Sequence, residues 1–201
     1  MVRDQALAVA GLLTQKVGGP SVKPYQPDGL WSEVGGGAAY VQDHGPDLYR
    51  RSLYTFWKRT VPPPTMANFD ASARESCVVR PGSTNTPLQA LDLMNNVTYI
   101  EAARVLAQRM MKEGGATPSE RIAFGYKLAT MRTPTEAENS VLLDSFRYGL
   151  DLFQTDAASA QKFVSNTGEA PRDQSLNVSE LAAYANVASL ILNLNRTVMK
   201  E

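Results

Sequence analysis

The residues able to do chemistry concentrate between Asp43 and Asn85. They are Asp43, His44, Arg50, Arg51, Lys58, Arg59, Asp70, Arg74, Glu75, Cys77, Arg80 and Asn85. Arginines in such number suit carboxylate, sulfate or phosphate, because a guanidinium fork donates to two oxygens at once. The ligand-binding candidates are therefore Asp43, His44, Arg50, Arg51, Arg59, Asp70, Arg74, Arg80 and Asn85, with an anionic sugar as the fitting ligand class. Asp43 and His44 would make an acid/base pair only if the chain folds back on itself, since neighbours on an extended backbone point to opposite sides. Cys77 with His44 would make a nucleophile and its base. Each reading competes with a plainer one. The basic pairs Arg50-Arg51 and Lys58-Arg59 would pin a long loop by pairing with Asp43, Asp47 and Asp70, and a lone cysteine is ordinarily a small buried hydrophobe.

Composition narrows the chemistry. The chain has 201 residues with twenty basic and twenty acidic side chains, so its formal net charge is zero. A general nucleic-acid or anionic-membrane partner would want a basic excess, and none is expected. No apolar run reaches the roughly 18 residues of a membrane span. Met1-Val2-Arg3-Asp4 leads into an amphipathic stretch with an early acid, which is not the pattern of a signal peptide. One cysteine excludes an internal disulfide. One histidine limits catalytic triads and histidine-rich zinc sites, and no CxxCH haem attachment occurs. No metal or cofactor site is expected in the chain itself. Glu136 and Glu138 read as first-turn helix charge rather than a metal pair.

The elements that must position these residues fall into two parts, 1–85 and 86–201, of one expected domain. Leu7, Ala10, Leu13 and Val17 predict a helix over 3–16, stopped by Gly18-Gly19-Pro20. The abrupt opening suggests a piece of a longer protein. Residues 21–45 have little periodicity and read as loop, with Leu30 and Trp31 as anchors and Ala39-Tyr40-Val41 as a short strand. Over 47–60, Tyr49, Leu53, Phe56 and Thr60 favour a helix. Alternation in Leu53, Thr55 and Trp57 would instead suit a β-hairpin across His44-Gly45-Pro46. Pro62-Pro63-Pro64 predicts an extended polyproline segment. The dense aromatics Tyr40, Tyr49, Tyr54, Phe56, Trp57 and Phe69 read first as packing for a loop-rich lobe, and second as platforms for a sugar ring.

Thr86-Pro87-Leu88-Gln89 is a helix start: Thr86 can cap, Pro87 fits the first position, and Gln89 can close a capping box. Leu88 and Leu91, with Met94 one turn later, give that helix an apolar face. Asn96 can cap a second helix to about Lys112. Thr117-Pro118-Ser119-Glu120 and Thr133-Pro134-Thr135-Glu136 open two more, over 118–130 and 134–154. A short helix over 156–164 and a loop over 168–175 follow. The last helix, capped by Asn177 or Ser179, carries a stripe from Leu181 to Leu192. The three threonine-proline starts are unequally spaced with dissimilar intervening segments, so a repeat architecture is rejected. The expected fold is mainly α: a bundle-like C-terminal half and a loop-rich N-terminal lobe, with room for one short β-hairpin. The lobe is expected to be immobilised on the capped helices.

RDQALAVAGLL, GGPSVKPYQPDGLW, LYRRSLYTFWKRTVPPP, FDASARESCVVR, TNTPLQALDLMN and ELAAYANVASLILNLNRT occur in that order. Together they resemble the PSD-type domain of unknown function at the C-terminal end of planctomycete cytochrome-c-like proteins. The resemblance implies a large exported protein, an extracytoplasmic location, and haem held by an upstream cytochrome-c-like domain that would be this domain's partner. It brings no catalytic residues. Asn96-Val97 stands where the family pattern has an Asp-Pro pair. Two functional readings follow. One is an accessory or binding module that docks the haem domain or binds an extracellular ligand such as an anionic glycan. The other is a hydrolase or oxidoreductase site built from Asp43, His44, Asp70 or Cys77.

Overall fold

The computed structural model describes residues 1–199 apart from 35–38, 74, 76, 80, 81, 83 and 166. The fold is mainly α, with ten α-helices among the described residues: α1 Val2–Ala10, α2 Leu30–Val34, α3 Pro64–Asn68, α4 Pro87–Asn95, α5 Val97–Glu113, α6 Pro118–Thr130, α7 Glu136–Thr155, α8 Ala157–Ser165, α9 Val178–Leu192 and α10 Asn195–Val198. The chain divides into two compact units. One comprises Leu13–Asp92 with Met1; the other comprises Val2–Leu12 with Leu93–Glu201.

The second unit is a helical bundle centred on α5 and α9. Helix α5 packs against α9, α1 and α6, and α9 also contacts α7 and α8. Tyr99, Ala102, Leu106 and Met110 of α5 are buried with Leu181, Tyr184, Ala188 and Ile191 of α9. So many alanines on both helices let the backbones approach closely while larger side chains fill the space between them. The caps are local and explicit. Asn96 accepts the Thr98 amide at 2.9 Å, and Asn177, not Ser179, caps α9 by accepting the Glu180 amide at 3.0 Å. Thr117 and Glu120 form the expected reciprocal box on α6. On α7 the box belongs to Thr135 and Glu138, two residues later than the threonine-proline pattern predicts. There Glu138 can reach back to the Thr135 amide at 2.8 Å, whereas Thr133-Pro134 is left outside the helix.

Helix α1 ends at Ala10 rather than near Lys16. Gly11 sits at φ +81°, the Leu12 amide donates to Leu7 O at 2.8 Å and the Gly11 amide to Ala8 O at 3.0 Å. This is a Schellman closure, which a glycine in the left-handed region completes at no steric cost. It overrides the apolar spacing that runs on to Val17.

The first unit is held by backbone pairing between distant loops. Residues 47–60 form neither the favoured helix nor the alternative hairpin. They make two short 3-10 turns, Gly45–Tyr49 and Ser52–Tyr54, followed by extended chain. Their edges pair in parallel with upstream segments, at Thr14–Arg50 and Val22–Thr55. The Val22 amide donates to Tyr54 O at 2.8 Å and the Phe56 amide returns to Val22 O at 2.7 Å. Those long-range bonds take up the Tyr54 carbonyl and the Phe56 amide, groups that an α-helix would have paired along its own axis. The proline run also differs from expectation: Pro63 is a cap, and α3 opens on Pro64, where a missing N–H costs nothing. Gly35, Gly36 and Gly37 of the expected loop lie outside the described residues.

Candidate functional site

Arg50, a binding candidate from sequence, is 1 % exposed. Its Nη1 donates to Pro20 O at 2.8 Å. Its Nη2 donates to Gly18 O at 2.5 Å and Lys16 O at 3.3 Å. The guanidinium lies 3.9 Å from the centre of the Tyr54 ring. Arg50 thus pins the 16–20 loop as the plainer reading expected, but through carbonyl oxygens rather than carboxylates. Arg51 is exposed at the start of the second 3-10 turn, and His44 is exposed at the start of the first. Arg59 is exposed, 4.0 Å from Glu75. Arg74 and Arg80 lie outside the described residues, and Asn85 is exposed. Cys77 is exposed, contrary to the buried hydrophobe expected of a lone cysteine, and its neighbours Val78 and Val79 are exposed too.

The two acids serve separate loops. Asp43 Oδ2 accepts the Lys23 amide at 2.6 Å, while its own amide donates to Lys23 O at 2.9 Å. Asp70, at φ +57°, accepts the Thr84 amide at 2.7 Å and the Thr84 hydroxyl at 2.8 Å through Oδ2. The Thr84 amide and then its hydroxyl hold the Asp70 carboxyl below its usual range. This bond begins a knot. Gln89 donates to Thr84 Oγ1 at 2.9 Å and to Asn68 O at 2.8 Å. It also closes the capping box with Thr86, accepting the Thr86 amide at 3.0 Å.

The knot sets the rotation of α4. Gln89 must point inward to reach Asn68 and Thr84, and Leu93, one turn on, follows it and is buried. Positions advance by about 100° per residue around a helix. Leu88, Leu91 and Met94 therefore fall on the opposite side, where they are 62 %, 57 % and 53 % exposed. The apolar row read from the sequence lies on the surface.

Around Trp31 the aromatics pack as expected of a loop-rich core. Tyr40 meets Trp31 edge-on at 5.0 Å and Phe56 lies 5.7 Å away. Lys58 Nζ sits 4.5 Å from the Trp31 ring centre, and Lys23 lies 5.6 Å from that of Phe56. Trp31 is buried, whereas Phe56 is open to solvent.

A second polar constellation escaped the sequence reading. Glu101, Arg104, Gln108 and Lys112 form a stripe along α5, and the first three are buried. Glu101 Oε1 accepts the Ala170 amide at 2.6 Å. Arg104 Nη2 donates to Ala170 O at 2.6 Å and Thr167 O at 3.2 Å. Gln108 accepts the Asp173 amide at 2.6 Å, and Lys112 donates to Asp173 Oδ2 at 2.5 Å. The stripe clasps the 167–173 loop, which has no regular partner for its backbone. Its signal was present as charge at helical spacing, but such a stripe ordinarily faces solvent.

Among the described residues no group of three or more His, Cys, Asp or Glu side chains could hold a metal ion, and no helix is long and apolar enough to cross a membrane. The chain is mainly α-helical, and among its described residues Asp43, Arg50, Asp70, Glu101 and Arg104 each hold a loop. Residues 1–146 match the family model PSD1, "Protein of unknown function (DUF1553)", and the chain belongs to that family. No curated protein and no solved structure matches it.

Proposed function

We propose that this domain is a non-catalytic accessory module that docks another domain of an exported, cytochrome-c-like multidomain protein, at the cell surface or in the periplasm. The observation that carries the reading is the outward row Leu88, Leu91 and Met94 on α4. An apolar row on a helix whose rotation is fixed by Gln89 and Asp70 is a preorganised surface for a protein partner. The host is inferred from the family resemblance, which supplies the haem-bearing domain as the partner. The polar segment supports binding over catalysis, because Asp43 and Asp70 each hold their own loop. Hydrolase or oxidoreductase chemistry would need Asp43, His44, Asp70 or Cys77 assembled around a substrate.

The test is calorimetric titration of the 201-residue chain with the separately produced haem domain of the same polypeptide. Saturable binding that weakens at least about tenfold in Leu88→Gln/Leu91→Gln is expected, as for loss of buried apolar anchors. An unaffected double variant, or no binding by the wild type, would remove the proposal. A second reading, an anionic-glycan site, is favoured by the exposed Phe56 ring beside Lys23, with Lys58 over the adjoining Trp31 ring. It expects retention on an acidic polysaccharide that Phe56→Ala and Lys58→Gln abolish and the α4 variant does not.

A further inference from the structure

Between α8 and the 168–174 loop lies a cavity of about 330 Å³. Arg104, Arg172, Gln161, Gln174, Ser165 and the backbone at Gly168 line it. Its size falls at the lower end of small-ligand sites, but its wall is polar where most such sites are apolar. Arg172 makes no ion pair among the described residues. Its guanidinium donates to two neutral amide oxygens, Gln161 Oε1 at 3.4 Å and Gln174 Oε1. These hold the cation at the cavity without cancelling its charge.

Two nearby carboxylates, Asp173 and Glu101, are turned to other work. Asp173 accepts from Lys112 and Ser175. Glu101 accepts the Ala170 amide and stands 4.0 Å from Arg104. Glu101 therefore stands against Arg104, and among the described residues lining the cavity, which include Arg172, none is acidic. Arg104 is anchored by the carbonyls of Thr167 and Ala170, so its plane is fixed.

We propose that this cavity binds a compact oxyanion, the carboxylate, sulfate or phosphate group of a small polar ligand. Arg172 supplies the charge-assisted bonds, and the Gln161, Gln174 and Ser165 side chains supply neutral ones. A fixed guanidinium matches two oxygens of such a group. The site belongs to the helical unit and is independent of the docking row on α4.

The experiment is amide and side-chain NMR of the full chain titrated with sodium acetate, sulfate and phosphate at constant ionic strength. Saturable shifts at Gly168, Ala170 and the Gln174 side chain are expected with at least one of the three. Acetate alone would identify a carboxylate ligand; sulfate or phosphate would identify a tetrahedral one. Arg172→Gln should weaken binding at least about tenfold, as for loss of a charged hydrogen bond. Arg147→Gln, the same charge change at an exposed site on α7, should leave it unchanged. Gln174→Glu places a carboxylate at the exposed edge and should abolish binding even if Arg172→Gln folds poorly. Linear shifts with all three anions, or equal effects of Arg172→Gln and Arg147→Gln, would overturn the proposal.

Discussion

A side chain at Gly168 would collide with Glu101: a Cβ built there stands 2.1 Å from the buried carboxylate. Gly168 also sits at φ +70°, where side chains are strained. Gly168→Ala should therefore cost about 2–4 kcal/mol, combining overpacking with backbone strain. Urea unfolding gives the measurement, and a loss under about 0.5 kcal/mol, the range of an ordinary surface change, would show that the loop relaxes instead.

Arg50 and Arg51 are adjacent in sequence and opposite in role. Arg50→Ala leaves the carbonyls of Lys16, Gly18 and Pro20 without their donor, and should destabilise the first unit by about 2–4 kcal/mol. Lysine should not rescue it, since one ammonium cannot reproduce the planar fork. Arg51→Ala should fall within about 0.5 kcal/mol of wild type. Hydrogen exchange at the Val22 and Phe56 amides would locate the loss.

The two faces of α4 make a third comparison. Leu93→Ala removes a buried side chain and should cost about 2–5 kcal/mol. Leu91→Ala, on the exposed row, should change stability by less than about 0.5 kcal/mol. Equal costs would mean that the row is covered within the chain.

Glu138 should contribute to acid sensitivity. Its carboxylate receives Arg132, the Thr135 amide and the Tyr126 hydroxyl, and Arg132 first among them holds it far below the usual carboxylate range. A carboxyl group lowered on folding stabilises the native state fully above its unfolded value. That contribution is lost as pH falls from there through the folded value. Glu138→Gln should thus lower the urea midpoint at pH 7 and flatten its decline between about pH 5 and 3. Parallel pH profiles for the two proteins would contradict this.

Cys77 should react with a maleimide in the native protein without denaturant, because its side chain is exposed. Protection until unfolding would place it inside an assembly.

The sequence by itself determined the mainly helical fold and most helix starts of the second unit. Asn96, Thr117 and Asn177 cap through side chains that reach only two or three residues, so residue type and spacing suffice. What lay beyond that reach was decided by tertiary structure. The 47–60 segment gave up helical bonds for pairing with residues 14 and 22. Helix α4 turned its leucine row outward because Gln89 was drawn to Asn68 and Thr84. The α5 stripe of Glu101, Arg104 and Gln108 was buried because a loop more than sixty residues away needed partners for its backbone. Local pattern records which groups a helix carries, but the side that is buried depends on which distant donors and acceptors must be satisfied there.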